Sequence, residues 1–246
     1  MTDKNTQAGR EAQDTLSLYS ENFLPHFASI EHHAPEDIEA SSMKTIAAEL
    51  SAKGLSVPEE IRPIVFRAIH ASADFDYAEN LVFSEGLLPL AYDLLLQKPV
   101  IVTDTNMALA GINKAACAGL GIESHCFMAD EDVAAASRKS GLTRAVCSVD
   151  KTARLFGAES GKSLLRPVIF ACGNAPTALV RLRQLHDAGI FSPALVIGLP
   201  VGFVNVVAAK ELILQSHIPH IVMRGRKGGS TIAAAILNAL LYCVKA

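Results

Sequence analysis

The sequence lacks an excess of positive charge. Its 22 lysines and arginines are matched by 25 aspartates and glutamates, so the formal net charge of the 246-residue chain is −3. Nucleic-acid-binding domains are usually strongly basic, so this balance argues against a nucleic-acid partner. Half of the residues are hydrophobic, and a chain of this length can bury a substantial core.

Cysteine is scarce and shows no metal-binding pattern. The five cysteines contain no C-x-x-C spacing and have apolar neighbours, and the eight histidines contain no H-x-x-x-H pattern. Buried thiols of this kind are typical of a reducing compartment. We therefore expect no disulfide, no structural zinc and no catalytic metal held by the protein.

The sequence shows neither an export signal nor a long membrane-spanning run. Its N-terminus has no basic segment followed by an apolar stretch. The longest uncharged stretch, residues 190–209, is interrupted by Pro193 and Pro200, which favours a buried strand and loop over a membrane span. We expect a cytoplasmic protein without a membrane segment.

Nucleotide-binding motifs are missing as well. No G-x-G-x-x-G follows a predicted strand, and no G-x-S-x-G is present. Residues 157–163 resemble a phosphate-binding loop, but the first glycine is one residue too close and Pro167 follows too soon for the required helix. A nicotinamide-dependent oxidoreductase is therefore a disfavoured alternative.

Apolar runs and helical patterns alternate along most of the chain. Each run is short, rich in β-branched residues and followed by a helix-compatible segment, which is typical of parallel strands buried on both faces. The runs are residues 99–103, 125–128, 167–172, 194–198 and 220–223. With right-handed crossovers, this order predicts a three-layer α/β/α sandwich with a mostly parallel, Rossmann-like sheet, whose ligands bind at the carboxyl ends of the strands.

The chain begins with a polar segment, and we divide it accordingly. Residues 1–37 are predicted to be an N-terminal extension, either disordered or helical, and residues 38–246 a single domain. Within that domain, helical periodicity predicts helices over 36–52 and 61–70, and a further helix over 231–243.

The second of these helices ends in a histidine. Arg67 and His70 lie three residues apart on its flank, just before Asp74 and Asp76. A histidine at a helix end can hold a proton for catalysis, but more often it packs or complements the helix dipole. The two aspartates can equally cap the next segment. Both interpretations stay open from these residues alone.

Glycines mark three strand exits. In residues 172–179, Asn174 is the predicted N-cap and Pro176 lies in the first helical turn, so backbone N–H groups are expected to point outward and bind a carboxylate. Residues 198–205 are apolar enough to form a wall. Residues 224–230 combine three cations with glycines before a helix, which predicts an anion site; the alternative is a solvated turn.

Seven segments in order carry a resemblance to a known family. They are residues 38–43, 67–76, 103–107, 143–144, 173–179, 198–204 and 225–230. Together, over residues 38–238, the sequence resembles the precorrin-8X methylmutase family. The resemblance implies an isomerase of cobalamin biosynthesis that moves a methyl group between adjacent carbons of ring C, giving hydrogenobyrinate or cobyrinate. It also implies a homo-oligomer with the active site at a dimer interface.

The resemblance also assigns residues. His70 is implied as the catalytic residue, and Ser42 and Arg67 as substrate contacts. A methyl shift needs no redox partner, so we expect no cofactor, and any cobalt belongs to the substrate. His70 would protonate or hydrogen-bond the ring-C nitrogen, a contribution of ~10²–10⁴-fold for a positioned acid. Carboxylates on the substrate rim would pair with cations and N–H groups. The predicted substrate-binding set is Ser42, Arg67, Asp104, Arg144, Asn174, Thr177, Arg224, Arg226, Lys227 and Ser230.

The sequence departs from the family pattern before Lys210. Family members often carry a Glu-Ser pair there, whereas this chain has Ala208 and Ala209. Asp74 and Asp76 resemble members that act on cobalt-containing substrates. A non-catalytic tetrapyrrole carrier with the same pocket is the alternative function.

Overall fold

The computed structural model describes residues 35–158 and 166–245. Most of the predicted N-terminal extension and of the phosphate-loop-like segment 157–163 lies outside the described residues, so the predicted domain boundaries stay predictions. Contacts divide the chain into two units, residues 1–42 and 43–246. Helix α1 (Pro35–Ala52) begins in the first unit and confirms the helix predicted over 36–52.

The second unit alternates helices with six short strands. The strands are β1 (Leu81–Phe83), β2 (Val100–Thr103), β3 (Glu123–His125), β4 (Val168–Cys172), β5 (Leu195–Gly198) and β6 (His220–Met223). The helices are α2 (Arg62–Ser72), α3 (Tyr77–Asn80), α4 (Leu87–Leu96), α5 (Asn106–Gly111), α6 (Lys114–Leu120), α7 (Glu131–Ser140), α8 (Arg144–Phe156), α9 (Pro176–Asp187), α10 (Val206–Leu214) and α11 (Ser230–Lys245). Among the described helices, none combines the length and the apolar character needed to cross a membrane.

The six strands form one sheet in the order β1-β6-β5-β4-β2-β3. All neighbours pair in parallel except β1, which runs antiparallel to β6. The predicted, mostly parallel sheet is therefore confirmed. β1 was not predicted, because three residues after a short helix are too few to show a strand periodicity.

Four of the five predicted strands lie where the apolar runs are, and one prediction is wrong. The run 125–128 is not a strand beyond His125; β3 instead covers Glu123–His125. Among the described residues, this strand pairs only with β2, and such an edge position tolerates exposed polar residues such as Glu123. The apolar residues after it, including Phe127, are buried in the layer that contains α8, α9 and α10.

Alternate residues of each central strand serve opposite layers. In β4, Ile169 and Ala171 pack with α2, α4 and α11, whereas Val168, Phe170 and Cys172 pack with α8, α9 and α10. All five are buried, and burying one large apolar side chain contributes about 1.5–3 kcal/mol. The sheet is thus covered on both faces, which is the predicted three-layer α/β/α sandwich.

The segments that form the candidate functional site lie at one edge of the sheet. The carboxyl ends of β2, β4, β5 and β6 share it because these strands are parallel. β1 is reversed, and its first residue, Leu81, pairs with Met223 at the end of β6. The segment before β1 therefore reaches the same edge, where the Arg224 N–H donates to the carbonyl of Asn80 at 2.9 Å.

Candidate functional site

Helix α2 carries the predicted catalytic histidine in its last turn. Its buried face consists of Ile64, Val65, Ala68 and Ile69, as the spacing predicted, and His70 is exposed. The helix ends at Ala73, whose left-handed backbone (φ 54°) lets its N–H donate to the carbonyl of Ile69. The packed face fixes the helix against the core, while the imidazole remains accessible to a ligand.

Arg67 lies one turn before His70, and its side chain contacts helix α11. Its guanidinium lies over the ring of Tyr242, 5.5 Å from the ring centroid. Tyr242 is twelve residues after Ser230 in α11, about 18 Å along a helix axis. Arg67 therefore contacts the far part of α11, whereas Asp74, seven residues later, contacts the loop before α11.

Asp74 and Asp76 bind a cation from the β6–α11 loop. The ammonium of Lys227 lies 2.7 Å from a carboxylate oxygen of Asp74 and 2.5 Å from one of Asp76. Hydrogen bonds to these two carboxylates raise the pKa of Lys227. Partial burial acts to raise the pKa of Asp74, but hydrogen bonds from Lys227 and from the Asp76 N–H outweigh it, and the pKa of Asp74 is lowered. The capping alternative is wrong for the side chains. Asp76 is the N-cap residue of α3, but its side chain makes no capping hydrogen bond, and Asp74 accepts the Asp76 N–H at 3.0 Å, before the helix begins.

The β4–α9 loop is held from below by a carboxylate. Asp104, only 1% exposed, accepts the N–H groups of Gly173 and Asn174 at 2.8 Å and of Ala175 at 2.6 Å. It also accepts a hydrogen bond from the thiol of Cys172 at 3.4 Å. Burial and the Asp104 charge hold the pKa of that thiol well above its ordinary value.

Two expectations for this loop are wrong. The N-cap of α9 is Ala175, not Asn174, although Pro176 does lie in the first turn. The loop N–H groups point inward because Asp104, which lies far away in the sequence, supplies their acceptor. They are therefore already bonded within the protein, and the Asp104 carboxylate lies beneath the edge rather than on its surface.

The β6–α11 loop is held from below by an ammonium. The side chain of Lys210, fully buried in α10, donates to the carbonyls of Gly225 at 2.9 Å and Lys227 at 2.7 Å. The carbonyl between them, of Arg226, accepts the Gly202 N–H at 3.2 Å. Burial lowers the pKa of Lys210 to about 8, and the nearby Cys172 opposes that shift. The side chains of all three cations in the loop, Arg224, Arg226 and Lys227, are exposed.

Lys210 was missed from the sequence as a functional residue. It lies four residues after Val206 and three before Ile213, and both of these are buried. A lysine on the apolar face of a predicted helix is a detectable signal, because a buried ammonium requires acceptors.

Glycines allow two of the strand exits to approach their neighbours closely. A Cβ atom on Gly173 would lie 2.5 Å from the Cα atom of Ser230, and one on Gly228 would lie 2.1 Å from the carbonyl oxygen of Leu199. The hydroxyl of Ser230 also contacts that of Thr105 at 2.8 Å. The exits of β2, β4, β5 and β6 are thereby packed into one surface.

The start of α8 joins the same surface. The hydroxyl of Thr143, the N-cap of α8, contacts that of Thr177 at 3.0 Å, which places the exposed Arg144 beside the first turn of α9. The predicted residues that the structure brings to this edge are Asn174, Thr177, Arg144, Arg224, Arg226, Lys227 and Ser230. Ser42 belongs to the other unit, where its hydroxyl donates to the carbonyl of Ile38 at 2.8 Å.

Apolar side chains flank these cations. Phe203 is 84% exposed and Val204 75% exposed in the β5–α10 loop, and the guanidinium of Arg226 lies over the Phe203 ring, 5.5 Å from its centroid. Four surface cavities of 410 to 740 Å³ lie elsewhere in the described part of the chain, and none of the four is lined by a predicted site residue. The edge thus offers a surface of mixed cationic and apolar character.

The protein has a Rossmann-like α/β sheet with this edge. It therefore belongs to the class of proteins that bind their ligands at the carboxyl ends of parallel strands. Comparison with known proteins makes this specific. The chain belongs to the precorrin-8X methylmutase family, whose model matches residues 37–243. The predicted family, and with it the enzyme class, an isomerase of cobalamin biosynthesis, is confirmed, and the comparisons give no support to the non-catalytic carrier.

Individual relatives cover most of the chain. A cobalt-precorrin-8 methylmutase from Salmonella typhimurium is 40% identical and covers 85% of this chain and 95% of its own. A precorrin-8X methylmutase from Pseudomonas aeruginosa is 32% identical and covers 81% of this chain and 91% of its own. The crystal structure of a precorrin-8x methyl mutase from Thermus thermophilus is 34% identical, with a TM-score of 0.73, and covers 85% of this chain and 98% of its own.

Proposed function

We propose that this chain moves a methyl group between adjacent ring-C carbons of a precorrin-8-type tetrapyrrole, with His70 as the proton donor. One observation carries the proposal. The exposed His70 lies in the last turn of a packed helix, and the segment after that helix is ion-paired to a loop whose cationic side chains are all exposed. A proton donor and an anion-binding surface are thereby joined at one sheet edge.

The reaction asks little of the protein beyond a proton and a fixed geometry. One carbon–carbon bond to the methyl group breaks and another forms on the neighbouring carbon, so mass and oxidation state are unchanged. No redox cofactor is needed. Protonation of the ring-C nitrogen by His70 makes that ring a better electron sink, and the proton returns to the imidazole afterwards.

The substrate rim carries several carboxylates, and the edge has groups that suit them. Arg144, Arg224 and Arg226 are exposed cations, and guanidinium groups bind carboxylates with two parallel hydrogen bonds. Asn174 is exposed and Thr177 half-buried, so both side chains can add hydrogen bonds to the substrate. Ser230 is buried and its hydroxyl contacts that of Thr105, so it supports the loop instead. Asp104 acts on this surface indirectly, by holding the β4–α9 loop.

The apolar part of the edge suits the macrocycle. Phe203 and Val204 are exposed, and covering apolar surface stabilises a complex by about 25 cal/mol per Å². A flat conjugated ring can lie against these side chains while its carboxylates reach the cations.

A second copy of the chain would complete the site. Arg67 contacts the far part of α11, about 18 Å along that helix from Ser230. A homodimer in which Arg67 of one copy lies near the strand exits of the other would add this guanidinium to the groups that bind the substrate rim. Sedimentation of the purified chain tests it: a dimer is expected, and a monomer that turns over substrate would contradict the shared site.

The names of the relatives bear on the form of the substrate, and the cysteines bear on the compartment. The 40% identical relative is named for cobalt-precorrin-8 and the 32% identical one for precorrin-8X, which supports the cobalt-containing form as the natural substrate. The cobalt is then part of the substrate. Buried thiols support a reducing compartment, the cytoplasm.

Anaerobic incubation with precorrin-8X and with cobalt-precorrin-8 tests the function. Wild type is expected to give a product of unchanged mass with a changed visible spectrum, faster with the cobalt form. His70→Ala is expected to bind substrate without converting it. His217→Ala, an exposed histidine just before β6, is the matched control and should convert normally. Binding without conversion by wild type would instead identify a carrier.

A further inference from the structure

We infer that Lys227 is a positioning residue, which fixes the helix end carrying His70 through Asp74 and Asp76. This inference rests on the proposed role of His70. Lys227 was expected to bind the substrate rim, but its ammonium lies between the two aspartates at 2.7 and 2.5 Å. Those aspartates follow His70 by four and six residues.

The Lys227 end of this contact is fixed from below. Its carbonyl accepts a hydrogen bond from the buried ammonium of Lys210 at 2.7 Å. The same ammonium holds the carbonyl of Gly225, and the Gly202 N–H holds that of Arg226. Three successive peptide groups are thus anchored to the layer beneath, so the Lys227 side chain starts from a rigid backbone.

The aspartate end is fixed as well. The Asp74 N–H donates to the Ser72 hydroxyl at 3.2 Å, and that hydroxyl donates back to the carbonyl of Ala68 at 2.8 Å. The Asp76 N–H donates to Asp74 at 3.0 Å. These hydrogen bonds connect Asp74 and Asp76 to the last turns of α2, which also carry His70.

Such a contact does more for geometry than for stability. The side chains of Lys227 and Asp76 are about half exposed, at 48% and 53%, and exposed ion pairs contribute little to stability. Both ends are anchored through their backbones, however, so the pair holds the end of α2 against the β6–α11 loop. A shift of a catalytic group by about 1 Å can cost about 10²-fold in rate, so a modest contact suffices to matter.

The neighbouring cations make the distinction testable. Within the described part of the chain, Arg224 and Arg226 form no ion pair, whereas Lys227 has two carboxylate partners. Two of the three N–H donors of Lys227 are directed at Asp74 and Asp76, so a substrate carboxylate would meet a cation whose charge two carboxylates already balance. Arg224 and Arg226 can bind it directly.

Steady-state kinetics of Lys227→Met, Asp74→Asn and their double variant test the inference. We expect each single variant to lower kcat about tenfold or more, with KM changed less than about twofold. The double variant should be no slower than either single one, because both break the same contact. Lys227→Arg should restore most of kcat. The full-length chain and the substrate form that wild type converts are used throughout.

Two controls separate the outcomes. Arg226→Met, in the same loop, should raise KM with kcat less affected, and Lys139→Met, on the exposed end of α7, should change neither. Thermal midpoints check folding; if Lys227→Met does not fold, Asp74→Asn and Asp76→Asn carry the same kcat test.

A rise in KM for Lys227→Met with normal kcat in Asp74→Asn would overturn the inference while leaving the proposed function intact. Failure of wild type to convert either substrate, or full activity of His70→Ala, would overturn the proposed function itself.

Discussion

The two strand-exit loops of the candidate site are held from beneath by opposite charges. Under the β4–α9 loop, the carboxylate of Asp104 accepts three successive backbone N–H groups. Under the β6–α11 loop, the ammonium of Lys210 donates to two backbone carbonyls. In each loop, the buried side chain binds one kind of backbone group, either N–H or carbonyl, and leaves the other kind for the surface.

This difference decides what each loop can offer a ligand. The β4–α9 loop has its N–H groups turned inward, so it contributes the side chains of Asn174 and Thr177. The β6–α11 loop has its carbonyls turned inward and presents its cations outward. Between the two buried charges lies Cys172, which donates to Asp104 and is close enough to Lys210 to affect its pKa. Whether a loop can bind an anion therefore depends on the sign of the buried charge beneath that loop.

Of the changes considered, removal of the Asp104 charge should lower the stability of the protein most. Asp104→Asn replaces an acceptor of three N–H groups by an amide that can accept fewer and that brings N–H groups of its own. We expect a loss of about 3–5 kcal/mol in the free energy of unfolding, measured by urea denaturation. The matched control is Asp150→Asn, whose carboxylate pairs with Arg181 near the surface and should cost less than about 1 kcal/mol. Equal losses in the two variants would contradict a special role for Asp104.

Removal of the Lys210 ammonium should have a smaller effect on stability. Lys210→Met leaves the carbonyls of Gly225 and Lys227 without their donor but also removes a buried charge, so we expect a loss of about 1–3 kcal/mol. Because the loop beneath Arg224 and Arg226 loosens, KM should rise as well. Unfolding curves and steady-state kinetics measure the two effects. An unchanged KM would show that the loop keeps its shape without Lys210.

The lowered pKa of Lys210 gives a pH signature. Its folded pKa is about 8 against an ordinary value of 10.5, so from about pH 8 upward the unfolded chain binds more protons at this site, and stability rises with pH. The Lys210 contribution should amount to about 1 kcal/mol between pH 8 and 9. The raised pKa of Cys172 opposes it over the same range, so the difference in slope between wild type and Lys210→Met is the quantity that reports Lys210. Unfolding of wild type and Lys210→Met across this range measures it, and the same slope in both would exclude Lys210 as the source.

The smallest effect on stability is expected at the surface. Phe203→Ala removes a ring that is 84% exposed, together with its contact to Arg226, worth about 0.5–1 kcal/mol at an exposed site. Stability should therefore change by less than about 1 kcal/mol. If the ring contacts the macrocycle, KM should rise severalfold. A normal KM would place the substrate away from this loop.

The sheet was predictable because its central strands are buried on both faces. Val168 to Cys172 form a continuous apolar run whose length and flanking residues leave little choice. β1 and β3 have three residues each, and a polar edge strand such as β3 carries no such signal. The face of α2 was equally clear, since its 3.6-residue period places four buried residues together.

The site was less predictable because its decisive contacts join distant parts of the chain. The N-cap expected at Asn174 failed because the acceptor for that loop is Asp104, 70 residues away. The partners of Lys227 lie about 150 residues before it. Local propensity describes which groups a loop has, but the groups that meet depend on the order of strands in the sheet.

The reversal of β1 determines which edge of the sheet receives the segment that precedes it, residues 62–80. In a wholly parallel sheet, the segment entering a strand arrives at the amino edge, about 13 Å from the carboxyl edge for a four-residue strand. Because β1 runs the other way, α2 and His70 are delivered to the edge where the strands from the C-terminal half end. The direction of one three-residue strand thus brings Asp74 and Asp76, just after His70, to Lys227, about 150 residues later in the chain.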